Sequence, residues 1–465
     1  MMIRIFKHFV PTAVVMLVVV DAIVLIGSMY LGIWLRFAGD GAGFAEHLPI
    51  LPRALIFMAV VIGCMTAFGV YLRDTSTDRA GVWLRFGATF VAAFVIMSML
   101  LYAFPNISLW RGAFGLSLLI SMSGMAFARI VFFAVSKNDN LKRRILVLGA
   151  GSRAAQVEQV LAKHGLSGKF DIVGYVATGG CPGHVDSKKV LKASGSLLGM
   201  SIKHRVDEVV VAVRDRRGGN LPMAELLECK IEGVNVIELS SFFERETGHV
   251  QVDSLNSSWL VFSDGFCRSS ARSLLKRIFD VAVSFVMFAL TLPIMAITAL
   301  LIFVESGAPI FYRQARVGEC GHVFQILKFR SMRTDAEREG SPVWAQKGDS
   351  RVTAVGRVIR ALRIDELPQI FNVLRGDMSF VGPRPERPMF VDQLARQIPY
   401  YPNRHAVKPG ITGWAQVNYP YGASVDDARE KLQYDLYYIK NRSVFLDFVI
   451  LAQTAQVVLF GKGAR

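Results

Sequence analysis

Four stretches of the chain run almost without charge: about 10–35, 50–72, 83–104 and 109–135. Each is long enough to cross a hydrocarbon core as a helix, which takes about 20 apolar residues. The pattern predicts a four-helix membrane bundle over residues 1–137. The first run is too long for a signal peptide, and further spans rather than a cleavage site follow it. After about residue 140 the period changes. "RRILVLGAGSRAAQVEQVL" (143–161) reads as a buried strand that turns into a helix, with Gly149, Gly151 and Ala154 in G-x-G-x-x-A spacing. Further strands are expected at 171–177, 207–213 and 234–239, with a helix at 221–230. Alternating β and α predicts a nucleotide-fold (Rossmann-like) domain over 141–245, followed by a linker at 246–273. The second strand, "DIVGYVATGG", ends without the acid that would hold a ribose 2′-OH. The glycine loop therefore fits a structural turn as well as a nucleotide site.

A fifth apolar segment, 278–304, has basic residues on both flanks: Lys276 and Arg277 before it, Arg313, Arg316 and Lys328 after it. The positive-inside rule disfavours a span with that distribution. Pro293, near its middle, removes a helix hydrogen bond and kinks the axis. A re-entrant helix that dips into one leaflet and returns satisfies both facts. Asp280 stands three residues after Arg277, a spacing at which the two pair on a helix. The last apolar run, 443–463, fits an interfacial helix or an ordinary core helix. The lysines and arginines near the first four spans (Arg4, Lys7, Arg73, Arg79, Arg85, Lys137, Lys142, Arg143, Arg144) put both ends of the bundle on the cytoplasmic side.

Composition sharpens this picture. Hydrophobic residues make up 52% of the 465 and charged ones 19%, which suits a membrane protein of several domains. The net charge of +16 suits anionic partners: a lipid surface, a phosphorylated substrate or nucleic acid. No nucleic-acid recognition motif is found, so that class is set aside. The five cysteines, at 64, 181, 229, 267 and 320, show no C-x-x-C or zinc spacing and read as reduced bystanders.

The chemistry concentrates in "LRIDELPQIFNVLRGDMSFVGPRP" (362–385), where Asp365 and Glu366 stand among basic residues. The pattern predicts a short helix with Asp365 near its N-cap, Pro368 in its first turn and Gly376 just past its end. Capping alone is one use for Asp365. Arg357, Arg360 and Arg363 precede the pair and Arg384 and Arg387 follow it, and arginine forks match phosphate oxygens. Magnesium binds through one or two carboxylates plus substrate phosphates. A carboxylate nucleophile working on a phosphorylated substrate fits this set. There is no G-x-x-x-x-G-K-[ST] loop and no G-x-S-x-G elbow.

The motifs "KRIFD", "FYRQARVGECGHVFQILKFRSM", "VTAVGRVIRALRIDELPQIFNVLRGDMSFVGPRP" and "VKPGITGWAQVN" resemble the bacterial sugar transferase family of polyprenyl-phosphate phosphoglycosyl transferases, continuously over 274–463. The four spans and nucleotide-fold domain are similar to those of its larger members. The stretch "VRDRRGGNLPMAELLECKIEGVNVIELSSFFERETG" resembles the exopolysaccharide transferases of PEP-CTERM/exosortase systems. The resemblance implies a membrane helical bundle, an α/β nucleotide-fold domain and an α/β catalytic domain with a re-entrant membrane helix (274–465). It implies Asp365 as nucleophile and magnesium-contacting residue and Glu366 as its partner. Arg360, Arg384, Arg363 and Lys328 would contact phosphate, and Lys276, Arg277, Asp280 and Pro293 would shape the re-entrant helix. A serine usual before that proline is Leu292 here. The implied reaction moves a hexose-1-phosphate, glucose favoured over galactose, from a UDP-sugar to undecaprenyl phosphate with release of UMP. Mg²⁺ (or Mn²⁺) is the implied cofactor. The implied place is the cytoplasmic face of the bacterial inner membrane, the oligomeric state being open, a homo-oligomer included. Against a membrane-anchored nucleotide-sugar dehydratase, no second glycine-rich loop and no Tyr-x-x-x-Lys pair follow residue 270. The intact charged set speaks against a non-catalytic regulator.

Overall fold

The structure is a computed structural model. It describes the chain except residues 1, 7, 42–43, 45–47, 72–78, 106–108, 136–141, 179–183, 192–194, 214–220, 253–269, 334–350, 421, 423 and 461–465. Most of the expected linker and the "RDRRGG" stretch lie outside the described residues. Two compact units form, residues 129–262 and the remainder.

In the larger unit a hairpin, β1 (Met2–Ile5) and β2 (His8–Pro11), leads into four long helices: α1 (Thr12–Arg36), α2 (Ile50–Ala67), α3 (Arg79–Ala103) and α4 (Arg111–Val135). All four are long and apolar enough to cross a membrane. Their inner faces bury Met29, Ile33, Phe57, Phe90 and Met125, while Ile23, Leu84 and Phe127 point outward, as helices surrounded by lipid require. A Cβ on Gly32 would lie 2.8 Å from the Ser117 backbone nitrogen, so α1 and α4 touch where only glycine fits. The buried Asp21 accepts a hydrogen bond from Tyr71 at 2.7 Å, which answers its cost in an apolar bundle.

The smaller unit is a five-stranded parallel sheet in the order β5-β4-β3-β6-β7. Its elements are β3 (Arg143–Leu148), α5 (Ser152–Lys163), β4 (Phe170–Val176), β5 (Val190–Leu191), α6 (Leu197–Lys203), β6 (Glu208–Val211), α7 (Met223–Ile231), β7 (Asn235–Glu238) and α8 (Leu239–Thr247). Strand β3 is apolar on both faces because both are covered. Ile145 and Val147 pack under α5 and α8, and Leu146 and Leu148 under α6 and α7. Numbered from β3, the sheet order is 3-2-1-4-5, the first five strands of a dinucleotide-binding fold. The packed region runs past residue 245, the expected end: Arg245 grips Glu208 with two hydrogen bonds of 2.7 Å, and Val250 and Val252 are buried.

The rest of the larger unit starts with α9 (Ser270–Ser306), one continuous helix with Pro293 inside. There follow the hairpin β8 (Phe311–Val317) and β9 (Val323–Phe329), then α10 (Ala354–Ala361), α11 (Gln369–Arg375), β10 (Ser379–Val381), α12 (Pro388–Gln397), β11 (Gly410–Thr412), α13 (Trp414–Asn418), α14 (Val425–Asn441) and α15 (Val444–Phe460). Strands β10 and β11 pair in parallel. Helix α15 packs against α2 and α9 and buries Leu446 and Ile450 completely. Gly69, at φ +70°, leaves room for Gln456, 2.6 Å from where a Cβ would stand. His8 lies 2.9 Å from the Tyr437 hydroxyl and meets Trp414 edge-on. The bundle and this domain therefore pack as one body rather than as two independent parts.

One expected pair is corrected. Asp280 takes Lys276, one turn back, at 3.1 Å, and not Arg277. The same Lys276 bridges to Asp447 of α15 at 2.8 Å, and Asp280 also accepts from Ser379 at 3.0 Å. The guanidinium of Arg277 is engaged elsewhere, at backbone carbonyls of α11.

Candidate active site

Asp365 and Glu366 sit in a single 3₁₀ turn, Ile364–Glu366, between α10 and α11. The expected capping role of Asp365 is overturned: α11 begins at Gln369 with Pro368 as its N-cap and no side-chain cap. Proline at 368 ends the turn before α11 can reach back to Asp365. Gly376 closes α11 at φ +99°, as its position just past the helix suggested. Arg363, which leads into the turn, is held at φ +57°, a left-handed conformation unusual for a non-glycine residue.

Three elements converge on Glu366. Lys328, from β9, donates to its Oε1 at 2.9 Å. Arg384, just beyond β10, donates to the same oxygen at 2.9 Å, and Arg363 reaches Oε2 at 3.4 Å. Burial would raise the Glu366 carboxyl, but Arg384, Lys328 and Arg363 hold it well below the usual carboxylate range. Asp365 differs. It has no hydrogen-bond or ion-pair partner among the described residues. Burial, then the neighbouring Glu366 charge, pushes its carboxyl up, against the pull of Lys328, Arg360 and Arg384. Arg360, in the last turn of α10, makes no side-chain hydrogen bond or ion pair among the described residues. The dyad thus divides into one carboxylate committed to three cations and one carboxylate left open beside an open arginine.

Close backbone packing holds Arg384. A Cβ on Gly382 would fall 2.3 Å from the Lys408 carbonyl, and one on Gly413 2.2 Å from the Gly382 carbonyl. The glycines of "GPRP" and "KPGITG" are therefore needed for the approach of β10 and β11. Behind them the buried Arg404 donates to the Arg384 carbonyl at 3.0 Å and to Asp435 at 2.8 Å. Asn372 fastens α11 to β9: its Oδ1 accepts from the Leu327 N–H at 2.9 Å and its Nδ2 donates to the Gln325 carbonyl at 2.8 Å. Sequence reasoning missed Asn372 and Arg404. A polar residue on the apolar face of a short helix was the only signal for the first.

Of the expected site residues, Asp365, Glu366, Lys328, Arg360, Arg363 and Arg384 come together. Lys276, Arg277 and Asp280 lie at the root of α9. Gly149, Gly151 and Ala154 belong to the other unit. There Gly149 takes φ +122°, Gly151 is the N-cap of α5, and Ala154 is fully buried. For a divalent cation, no group of three or more His, Cys, Asp or Glu gathers among the described residues. The open Asp365 carboxylate fits a cation held partly by substrate phosphates, not a site built from protein alone.

The family model of the bacterial sugar transferases matches residues 271–461. A UDP-galactose-lipid carrier transferase of Erwinia amylovora is 30% identical over 91% of this chain and 90% of its own length. This chain belongs to the bacterial sugar transferase family. An undecaprenyl-phosphate glucose phosphotransferase of Komagataeibacter xylinus is 31% identical over 76% of this chain and 68% of its own. A UDP-N-acetylgalactosamine-undecaprenyl-phosphate N-acetylgalactosaminephosphotransferase of Aeromonas hydrophila is 45% identical over 56% of this chain, which spans 61% of that relative. A match over 91% of the chain extends well beyond residues 271–461, so the family likeness is not confined to the catalytic segment.

Proposed function

We propose that this sugar transferase moves a sugar 1-phosphate from a UDP-sugar to undecaprenyl phosphate and releases UMP, with Asp365 as nucleophile. The observation that carries the reading is the split within the dyad: Glu366 is held by Lys328, Arg384 and Arg363, while Asp365 has no hydrogen-bond or ion-pair partner among the described residues. In the first step an oxygen of Asp365 bonds to the sugar-bearing phosphorus of the donor. The bond from that phosphorus to the bridging oxygen breaks, and UMP leaves with it. In the second, a phosphate oxygen of the lipid attacks the same phosphorus and restores the carboxylate. Arg360 would meet phosphate oxygens, and Glu366 would fix the three cations around the turn. A magnesium ion, when bound, would offset the charge of the donor phosphates near Asp365.

The relatives' names include glucose, galactose and N-acetylgalactosamine. We therefore take the donor class to be UDP-hexose or UDP-N-acetylhexosamine, with repeat-unit initiation for an exopolysaccharide as the role. A re-entrant course for α9 is supported by its contacts. Both ends are held by the single segment 354–374, which carries Arg357, Arg360, Arg363 and the dyad. A straight span from 277 to 305 would cover roughly 42 Å at 1.5 Å per residue, and those charges would have to follow it across the hydrocarbon. The dyad then stays on the cytoplasmic face of the inner membrane.

The test is purified protein in bilayer discs, given a panel of UDP-sugars with and without undecaprenyl phosphate. UMP release with lipid, and a protein mass increased by one sugar phosphate without it, are expected. UMP release with no adduct on Asp365 would remove the covalent course.

A further inference from the structure

The two ends of α9 hold the two helices that flank the dyad. Near its start, Arg277 donates to the Val373 carbonyl at 2.5 Å and to the Leu374 carbonyl at 2.6 Å, in the last turn of α11. Carbonyls in a last helical turn lack the i+4 partner, and the Val373 carbonyl also accepts from the capping Gly376 N–H at 3.1 Å. At the other end, the Glu305 carboxylate accepts from the N–H groups of Ala354 at 2.8 Å and Val355 at 3.1 Å, in the first turn of α10. Thr353 takes only the next one, the Gly356 N–H, at 2.9 Å. Glu305 is exposed, but the helix end next to it is anchored: the buried Arg330 donates to the Ser306 carbonyl at 2.9 Å and to the Gly307 carbonyl at 2.7 Å. Between the two grips, Met295 and Ile302 of α9 share one apolar cluster with Ile359, Ile364 and Leu367. Ile364 and Leu367 stand immediately on either side of Asp365 and Glu366. Phe288 meets Phe371 edge-on at 5.6 Å.

We propose that Glu305 is a positioning residue for Asp365. Helix α10 has eight residues, too few to hold its own first turn. A carboxylate from the membrane helix supplies two of its missing acceptors and suits the positive end of its dipole. That contact sets where α10 lies on α9, and so where Arg360 and the turn 364–366 stand. The membrane helix is then part of the catalytic geometry as well as an anchor. The proposal rests on the reading of Asp365 as nucleophile.

The experiment measures the rate of adduct formation from UDP-sugar, without lipid, for Glu305→Ala and Glu305→Gln in full-length protein in bilayer discs. Glu305→Ala should slow it on the order of tenfold or more, since displacements near 1 Å can cost a hundredfold. Its melting temperature and membrane retention should stay close to wild type. Glu305→Gln keeps an oxygen that accepts the same N–H groups and should stay within about threefold of wild type. If the alanine variant does not accumulate, Glu305→Asp, whose shorter arm cannot serve both N–H groups, is compared with Glu305→Gln in the same way. A wild-type rate in the truncated variant, a glutamine variant as slow as it, or a loss equal to the unfolded fraction would each overturn the proposal. Asp365→Asn is run beside them. An inert Asp365→Asn with a normal Glu305→Ala rejects this inference alone, whereas an Asp365→Asn that still forms the adduct rejects the nucleophile.

Discussion

Two turns in this chain look suited to phosphate, and they are built in opposite ways. The Gly149–Ala154 turn uses glycine where the backbone demands it. Gly149 has φ +122°, its N–H donates to the Val176 carbonyl at 2.8 Å, and a Cβ there would stand 3.3 Å from the Ala212 backbone. Those facts account for the glycine without any ligand. The Arg363–Glu366 turn also needs a left-handed residue, but an arginine occupies it. A non-glycine residue there costs roughly 1–2 kcal/mol. The strain is kept where the side chain is in use, on Glu366. A motif's backbone shape alone is thus weak grounds for a phosphate site. A charge held in an unfavourable conformation is stronger grounds.

The largest effect expected on this contrast is at Asp365. Asp365→Asn should abolish turnover while the protein stays folded in the membrane, because an amide does not attack phosphorus. Glu366→Gln should also be severe, since it unties Lys328, Arg384 and Arg363 together. Near-normal UMP release by Asp365→Asn would dissolve the distinction between the two carboxylates. Next in size is Arg363→Gly, which separates charge from shape. Glycine relieves the left-handed strain and removes the cation. Turnover should drop about tenfold while the melting temperature holds or rises. A variant that loses stability and keeps its rate would mean the arginine is there for the fold.

The pH profile offers a smaller effect with a definite sign. Burial and Glu366 raise the Asp365 carboxyl, so its protonated, non-nucleophilic form persists to higher pH than in an ordinary aspartate. The acid limb of kcat/KM should be shifted upward accordingly. Activity is retained above the raised pKa and lost as pH falls through it. Glu366 stays ionised throughout, held by its three cations. In the residual activity of Glu366→Gln the limb should move to lower pH, because a neighbouring negative charge has gone. A limb that stays or rises would show that another group titrates.

Much of this architecture could be read from the chain because it depends on local periods. Run length predicted α1 to α4, and the alternation of strand and helix patterns predicted the parallel sheet. The acidic pair stood out by its contrast with the surrounding arginines. What escaped was decided by distant backbone. Arg277 was expected to pair three residues along but goes to carbonyls 96 and 97 positions away. Glu305 looks like an ordinary acid at a membrane helix end until α10 is placed against it. Asp365 looked like a cap because the start of α11 could be misplaced by a few residues. The packing of α15 depends on α2, nearly 400 residues earlier, and Gln456 fits against Gly69 just past that helix's end.

The smallest expected effect is at the first of the two turns. Gly149→Ala places a Cβ at φ +122°, where L-residues are disfavoured, with the Ala212 carbonyl carbon 3.3 Å away. That should destabilise the α/β unit by on the order of 1–2 kcal/mol. It lies outside the unit that carries the dyad. Scanning calorimetry or hydrogen exchange should register the loss in β3 and α5, whereas UMP release per folded molecule should be unchanged. The contrast between the two turns depends on that separation. If Gly149→Ala lowered turnover tenfold while the α/β unit stayed folded, the glycine loop would serve the transfer reaction. Backbone shape would then count for as much as charge in this protein.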